Sequence, residues 1–301
     1  MSDMPKFEDI PVSTKTFIVR TNLIINIAKL FSFLPITQYH LIPKRRGRKK
    51  RVIAIDPNKD IPDGSIITID LANNVRGVVL KKRRNREVSR ESYFRNSVTV
   101  VMFIDHKRIS LKVSCNGTIQ ATGIKQDRQI EDCVKYLWNM IKDNDEIYTL
   151  NESKFKAMFI PAMRNIDFNL GFVIDREKLG RYFNSTAEYR SLLEASVGYT
   201  GVNIKTTVKK QITDLKLKEL TFGQTDWIKT EYVPYQNYLN TLKPKEQQKK
   251  IDKERFNTFL VFHSGKTIMS SMCEEFARDT YYQFLDIVLK NQDKFEEKLR
   301  V

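Results

Sequence analysis

Clustered positive charge is the first feature of this sequence that suggests chemistry. The chain has a formal net charge of +16, concentrated in the runs KRRGRKKR at 44–51 and KKRRNR at 81–86. Lysine and arginine neutralise phosphates and release counterions, so a chain this basic is suited to DNA, RNA or an anionic membrane surface. The first run predicts nucleic-acid contact, with a solvated loop or a nuclear-import signal as equal alternatives. Its candidate contact residues are Lys44, Arg45, Arg46 and Arg48.

The other reactive side chains form no recognisable catalytic or metal-binding set. Cys115, Cys133 and Cys273 contain no CxxC pair, so we expect three small buried thiols in a reducing compartment rather than disulfides or a zinc site. SGKT at 264–267 lacks the glycine that a phosphate-binding loop requires, because Leu260 stands in its place. The sequence also has no apolar run of bilayer length and no secretory signal pattern. We therefore expect no enzyme, no cofactor, no bound metal and no membrane partner.

Hydrophobic spacing predicts a strand-and-helix unit in the first half of the chain. Residues 16–22 are β-prone, and residues 23–34 have the composition of an apolar helix. Residues 97–122 predict three consecutive strands, with an Asn-Gly pair at the second turn. A helix over 126–142 is predicted because five apolar residues recur on one helical face, namely Ile130, Cys133, Val134, Leu137 and Ile141.

The second half of the chain repeats this order. Residues 165–172 are β-like, and Asp175 can cap the next helix because its side chain can accept from the free amides of the first turn. SCNGTIQATG at 114–123 matches FHSGKTIMSS at 262–271, and a repeated unit is a signal of fold. The other predicted elements are strands at 202–208, 259–263 and 266–270 and a helix over 274–299.

These elements divide the chain into two repeats. We predict a loose tail at 1–14, a first repeat at 15–150 and a second repeat at 151–301. A basic insertion at about 43–95 interrupts the first repeat, and a lysine-rich insertion at about 209–255 interrupts the second. Within the latter, the lysine cluster at 242–255 is mixed with acids, which predicts a solvated helix face.

Both repeats resemble those of the TATA-box-binding protein family. The strongest stretch is FLVFHSGKTIMSS at 259–271, followed by the long helix, and CNGTIQATGIK at 115–125 is similar to the motif of the first repeat. The resemblance covers roughly two thirds of the chain, and FRNSVTVVMFID at 94–105 is similar in particular to the family-like proteins of giant DNA viruses. Other residues that fit the second repeat are Leu170, Phe172, Ile174, Glu177 and Leu179.

The resemblance implies an α+β saddle in which two pseudo-symmetric repeats form one curved antiparallel sheet with helices on its convex face. It implies a DNA-binding transcription initiation factor whose concave face opens the minor groove and kinks it with inserted phenylalanines. The implied partners are double-stranded DNA, AT-rich by preference, and a transcription factor IIB-like protein or RNA polymerase. The implied location is inside the cell, in a viral factory of the host cytoplasm or in the nucleus.

The resemblance also places DNA contacts on the second repeat. Phe262 matches an inserting phenylalanine and Tyr199 its partner, while Lys205 and Lys266 match phosphate-contacting positions. Leu260 shares the strand face of Phe262 because side chains alternate. The alternative is that Phe262 packs under the helices, as strand aromatics usually do. The matched groove floor consists of Leu260, Ile268 and Ser270.

The first repeat departs from the family pattern. Ser97 and Ser114 stand at its inserting positions, so it offers no wedge. Phe17 aligns where one groove-centre asparagine would stand, and Asn165 matches the other only with a small gap. A second hypothesis is therefore a transcription-complex scaffold that keeps the saddle but binds protein partners instead of kinking DNA. The candidate contacts on this repeat are Lys112, Ser114, Gln120, Thr122 and Lys125.

Overall fold

The computed structural model describes residues 4–41, 56–72, 74–79, 96–193 and 201–297. It is an α+β protein of antiparallel strands with helices packed on them, so the predicted class is confirmed. Two compact units divide the chain. The N-terminal unit comprises Phe17–Ile160 and Lys218–Tyr232, and the C-terminal unit comprises Met1–Thr16, Pro161–Leu217 and Val233–Val301.

The elements follow the chain in two series. The first contains β1 (Val12–Thr21), β2 (Leu23–Ile25), α1 (Ile27–Phe33), β3 (Ile66–Leu71), β4 (Asn74–Gly77), β5 (Ser97–Ile104), β6 (Lys107–Ser114), β7 (Thr118–Ile124), α2 (Asp127–Ile141) and β8 (Tyr148–Leu150). The second contains β9 (Lys156–Asn169), α3 (Arg176–Ser185), β10 (Tyr189–Leu193), β11 (Gly201–Thr207), β12 (Lys216–Phe222), β13 (Trp227–Pro234), α4 (Tyr235–Asn240), α5 (Pro244–Asp252), β14 (Phe256–Phe262), β15 (Lys266–Ser271), α6 (Glu274–Lys290) and α7 (Gln292–Phe295).

The N-terminal unit is built on a sheet with the strand order β1-β7-β6-β5-β3-β4. Because successive side chains of a strand point to opposite faces, Val100, Leu111 and Ala121 all lie on one face, where each is fully buried. Helix α2 covers this face with the five apolar residues that helical spacing predicted. The predicted helix at 126–142 is thus confirmed, together with its buried stripe.

The C-terminal unit has the strand order β9-β15-β14-β11-β10. Helices α3 and α6 pack on one face, where Phe259 of β14 stacks on Phe284 of α6 with ring centroids 3.9 Å apart. Asp175 caps α3 as predicted, because its side chain accepts a hydrogen bond of 3.1 Å from the Lys178 amide.

The two units share one connectivity, which confirms the predicted internal repeat. The series β1-α1-β3-β5-β6-β7-α2 corresponds to β9-α3-β10-β11-β14-β15-α6, with the same strand neighbours in each sheet. Gly117 and Gly265 occupy the same turn with φ of 75° and 77°, a conformation that glycine adopts without strain. A Cβ on either would overlap a backbone carbonyl oxygen, that of Leu23 or that of Phe172. The matched motifs therefore share a backbone requirement.

The predicted insertion at 43–95 contains a strand of the fold. β3 pairs with β5, with Ile69 opposite Val100, and occupies the position that β10 has in the C-terminal unit. Ile69 is fully buried, so burial holds this strand in the sheet. The sequence marks residues 65–71 as β-prone, but the flanking basic runs assigned them to an insertion instead of the fold.

Residues 4–14 do not form the predicted loose tail. Phe7 is fully buried, with its ring 5.5 Å from that of Tyr281 and the Arg164 guanidinium 4.8 Å above it, and β1 already begins at Val12. Burying a phenylalanine contributes about 1.5–3 kcal/mol. The segment is thus held to the C-terminal unit by core burial.

Two helix boundaries also differ from the prediction. The run 23–34 begins as strand β2, in which Ile24 is exposed between buried neighbours, and α1 starts only at Ile27. The last helix ends at Lys290 instead of reaching 299, because the Asn291 side chain donates to the Ile287 carbonyl and the backbone turns there.

The lysine-rich insertion supplies a hairpin to the N-terminal unit. β12 pairs antiparallel with the first part of β9, and β13 pairs with β12. Trp227 of this hairpin joins an aromatic cluster in which Trp138 stacks on Phe155 at 4.4 Å. Helix α5, in contrast, buries no residue, as its charge pattern predicted.

Candidate nucleic-acid interface

Phe262 lies on the face of the C-terminal sheet that points away from α3 and α6. In β14, Phe259 and Val261 are fully buried under α6, whereas Leu260 and Phe262 alternate with them and are only half-buried. The alternative placement of Phe262 in the helix-side core is therefore wrong. We call this surface the C-terminal open face; it comprises Asn165, Asp167, Asn169, Arg190, Leu192, Asn203, Lys205, Thr258, Leu260, Phe262, Lys266, Ile268 and Ser270.

Strand register brings the predicted floor residues of this face together. Leu260 lies opposite Ile268, which in turn lies opposite Asp167, and Leu260 is flanked on its other side by Asn203. The next cross-strand row places Ser270 of β15 beside Thr258 and Asn165. Neighbouring strands are about 4.8 Å apart, so the apolar residues form one patch with polar groups at its borders.

Gly201 leaves room for this apolar patch. It lies directly opposite Phe262 in β11, and a Cβ at this position would stand 2.6 Å from Cδ1 of Leu260. Any larger residue would therefore displace Leu260 on the open face. The predicted second wedge, Tyr199, lies outside the described residues.

Unpaired cations flank the apolar patch. Lys205 and Lys266 are exposed, and neither forms an ion pair with any residue that the structure describes. Arg190 lies opposite Lys205 in the adjacent strand, whereas Asp167 is the acid among the residues of this face. The face therefore carries a net positive charge and free donors for anionic oxygens.

Two asparagines on this face have an unsatisfied amide. The side-chain oxygens of Asn165 and Asn203 are buried, and neither has a hydrogen-bond partner among the described residues. An unmade hydrogen bond of this kind costs about 1–3 kcal/mol. The resemblance matches Asn165 to the groove centre, and β9 places it on the open face. Asn203 was missed, although its polar side chain between Val202 and Ile204 is a period-2 signal.

The corresponding face of the N-terminal unit is polar. We call it the N-terminal open face; its register places Ser97 opposite Ser114 and Lys112 opposite Gln120. Thr122 lies in the next row, and Lys125 is exposed just beyond β7. Burial, together with the positive charge of Lys125, lowers the pKa of Lys107. Strand register thus places Ser97, Lys112, Ser114, Gln120 and Thr122 on one face, on which the aromatic strand residue Phe103 is buried.

Part of the N-terminal open face is covered by its own chain. The ring of Tyr39 lies 6.0 Å from that of Phe103, and the Asn58 side chain accepts from and donates to the backbone of His40. The sequence did not predict this cover, because Tyr39 and His40 lie before the basic run and Asn58 and Ile61 lie after it. The covered apolar residues are Ile67, Val101 and Phe103, and Ile61 packs on them beside Tyr39.

Two sequence-based assignments in the N-terminal unit are wrong. Phe17 is buried in the helix-side core, so it does not occupy a groove-centre position on the open face. Cys115 is exposed, whereas Cys133 and Cys273 are buried as expected. Burial raises the pKa of the Cys273 thiol to about 12 and raises that of Cys133 as well. Cys115 lies in the turn between β6 and β7, where strand alternation no longer predicts burial.

Several predicted features lie beyond the described part of the chain, including Lys44, Arg45, Arg46 and Arg48. Within the described residues, no group of three histidine, cysteine or acidic side chains is arranged to hold a metal ion. No helix in the same residues has the length and apolarity needed to cross a membrane.

Comparison with known proteins finds similarity to a viral protein and to solved structures, but no family. No protein-family model matches the chain. The uncharacterized protein 335L of Invertebrate iridescent virus 6 is 26% identical over 223 residues, which cover 70% of this chain and 65% of the viral protein, less than two thirds of its length. Among solved structures, the TATA-box-binding protein of Methanococcus jannaschii matches with 11% sequence identity and a TM-score of 0.42, covering 95% of this chain and 99% of that one.

Proposed function

We propose that this chain binds double-stranded DNA through its C-terminal open face and acts as a transcription initiation factor. One observation carries the proposal. A sheet face without helices presents half-buried Leu260, Phe262 and Ile268 beside the unpaired Lys205 and Lys266. An apolar patch with a wedge-shaped aromatic ring and flanking cations suits a nucleic-acid groove better than it suits bulk water.

The apolar residues would act on the base steps. A flat ring inserted between two steps offsets the unstacking energy, which is a few kcal/mol per step. The aliphatic side chains of Leu260 and Ile268 would exclude water from the opened minor groove beside it. Flexible TA steps are the easiest to unstack, so an AT-rich duplex is the preferred ligand.

The polar residues would position the duplex. Lys205 and Lys266 can each neutralise a phosphate and release a counterion. The amides of Asn165 and Asn203 can donate to the adenine N3 or thymine O2 acceptors of the minor groove.

In this proposal the two units contact DNA differently. The N-terminal open face offers serines at its two inserting positions, and Lys112, Gln120 and Thr122 suit backbone contacts rather than insertion. Lys125 and the basic run at 44–51 would add further phosphate contacts. Recruitment of a transcription factor IIB-like protein or RNA polymerase is part of the proposal, supported by the sequence resemblance alone.

A titration of the full chain against AT-rich and GC-rich duplexes at a series of salt concentrations tests the proposal. The double variant Lys205→Ala/Lys266→Ala should reduce the slope of log affinity against log salt by about 1.8, because each lost phosphate contact removes about 0.9. The matched control is Lys245→Ala/Lys249→Ala on α5, which buries no residue, and it removes the same charge away from the face. Equal slopes for the two double variants would refute the assigned contacts.

A protein scaffold is the second candidate function. It is favoured by the N-terminal open face, because Tyr39 and Ile61 cover the apolar residues that could otherwise contact bases. A scaffold would bind duplex weakly, with no difference between AT-rich and GC-rich sequences and no dependence on Phe262. If the titration gives all of these results, the scaffold function is supported and the DNA-binding function is refuted.

A further inference from the structure

The edge strand β13 exposes an unusual amount of apolar surface. Among the described residues it pairs with β12 alone, so its other edge has free backbone donors and acceptors. The strand is eight residues long, and Ile228 and Tyr232 are 59% and 67% exposed. A long edge with exposed apolar side chains is a template for a further strand, and proteins usually block such edges by proline, bulges or charge. The single proline, Pro234, stands at the end of β13, where it leaves the strand interior open.

The sequence of β13 is complementary to its own reverse. When two copies run antiparallel with Thr230 opposite Thr230, Ile228 faces Tyr232 and Lys229 faces Glu231. Each of these pairs then occurs twice, because the arrangement has two-fold symmetry. A β-branched residue facing an aromatic one, a threonine pair and an opposite-charge pair are the stabilising cross-strand combinations.

We propose that β13 is a self-association edge through which two copies of this chain form an antiparallel dimer centred on Thr230. The free backbone groups of both edges would be satisfied at once. Ile228 of each copy would pack on Tyr232 of the other, on the face opposite to that of Lys229 and Glu231. Because β13 pairs with β13 about a two-fold axis, the pairing is closed and stops at two copies.

The hairpin is held in place before any partner binds. Lys218 of β12 pairs with Glu131 of α2 at 2.6 Å, and Asp226 at the turn pairs with Lys135 at 2.7 Å. Trp227 packs edge-on against Phe222 with centroids 5.2 Å apart. The edge is therefore preorganised, so less conformational entropy is lost when it pairs.

Charge complementarity selects a second copy as the occupant. Within one chain Lys229 and Glu231 already pair at 2.8 Å on the exposed edge. In the dimer each would exchange this pair for one with the opposite residue of the second copy, so no charge is left unpaired. Like charges at positions 229 and 231 would instead give two like-charge pairs.

Sedimentation velocity of the full chain over a concentration series tests the inference. Lys229→Glu and Glu231→Lys should each weaken dimerisation at least about tenfold, because each replaces two attractive pairs by two like-charge pairs. The double variant Lys229→Glu/Glu231→Lys should restore it, since the pairs are only exchanged. Lys245→Glu on α5 is the control with the same charge change, and tryptophan fluorescence verifies that the hairpin is folded in every variant.

Three results would overturn the inference. They are a wild type that stays monomeric over the whole concentration range, a Lys229→Glu variant that dimerises like Lys245→Glu, and a double variant that stays as weak as the single ones. The last result would show that a charge effect exists but that residues 229 and 231 do not face each other. The inference does not depend on DNA binding, so its failure leaves the proposed function untouched.

Discussion

Replacing Phe262 by alanine distinguishes a role of this ring in DNA insertion from a role in protein stability. Phe262 is half-buried on the C-terminal open face, opposite Gly201 and away from α6. Phe259, three residues earlier, is fully buried against Phe284 in the helix-side core. The two phenylalanines of one strand thus allow the same substitution in two environments.

The expected magnitudes differ between the two sites. Stacking of an aromatic ring on a base contributes about 1–3 kcal/mol, so Phe262→Ala should weaken duplex affinity by about 5- to 150-fold. Its effect on the free energy of unfolding should be smaller than the roughly 3–5 kcal/mol that a core Phe→Ala substitution costs. Phe259→Ala should show that full cost, because it leaves a cavity beneath α6.

Energy transfer between dyes on the two ends of a short duplex measures the bend, and anisotropy measures the affinity. Phe262→Ala should remove most of the bending, whereas Ser114→Ala on the N-terminal open face should change little, because a serine covers too little base surface to insert. If the wild type bends DNA no more than Phe262→Ala and binds it equally well, Phe262 is not a wedge and the reasoning fails.

Two further predictions concern the packing that the sequence did not reveal. Phe7→Ala should lower the free energy of unfolding by about 3–5 kcal/mol, because Phe7 is fully buried against Tyr281. A urea titration measures this change, and a variant that unfolds like the wild type would support the interpretation of residues 1–14 as a loose tail. The hydrogen bond from Lys135 lowers the pKa of Asp226. At pH values above the ordinary carboxyl pKa this pair therefore stabilises the hairpin, and the stabilisation is lost as the pH falls through the lowered pKa. Tryptophan fluorescence of the wild type should therefore show an acid transition that Asp226→Asn lacks, and an identical transition in both proteins would contradict the assignment.

Residue order alone determined the repeated unit and which residues of β14 share a face. Period-2 alternation correctly separated Leu260 and Phe262 from Phe259 and Val261, because a strand must point successive side chains to opposite faces. Helical spacing identified the buried stripe of α2. The Asn-Gly and Ser-Gly turns marked the matching hairpins, because a Cβ on either glycine would overlap a backbone carbonyl oxygen. These features depend on neighbours within a few residues, which a sequence displays directly.

Only the tertiary structure decided which remote segments pack on each unit. Phe7 is held by Tyr281, the hairpin of β12 and β13 by α2, and the cover on Phe103 by Tyr39. The sequences of these segments are polar or basic overall, so composition predicted a tail and two insertions. Each segment is fixed by a few apolar contacts between residues far apart in the chain, and such contacts leave no periodic signal because burial depends on what the fold brings opposite.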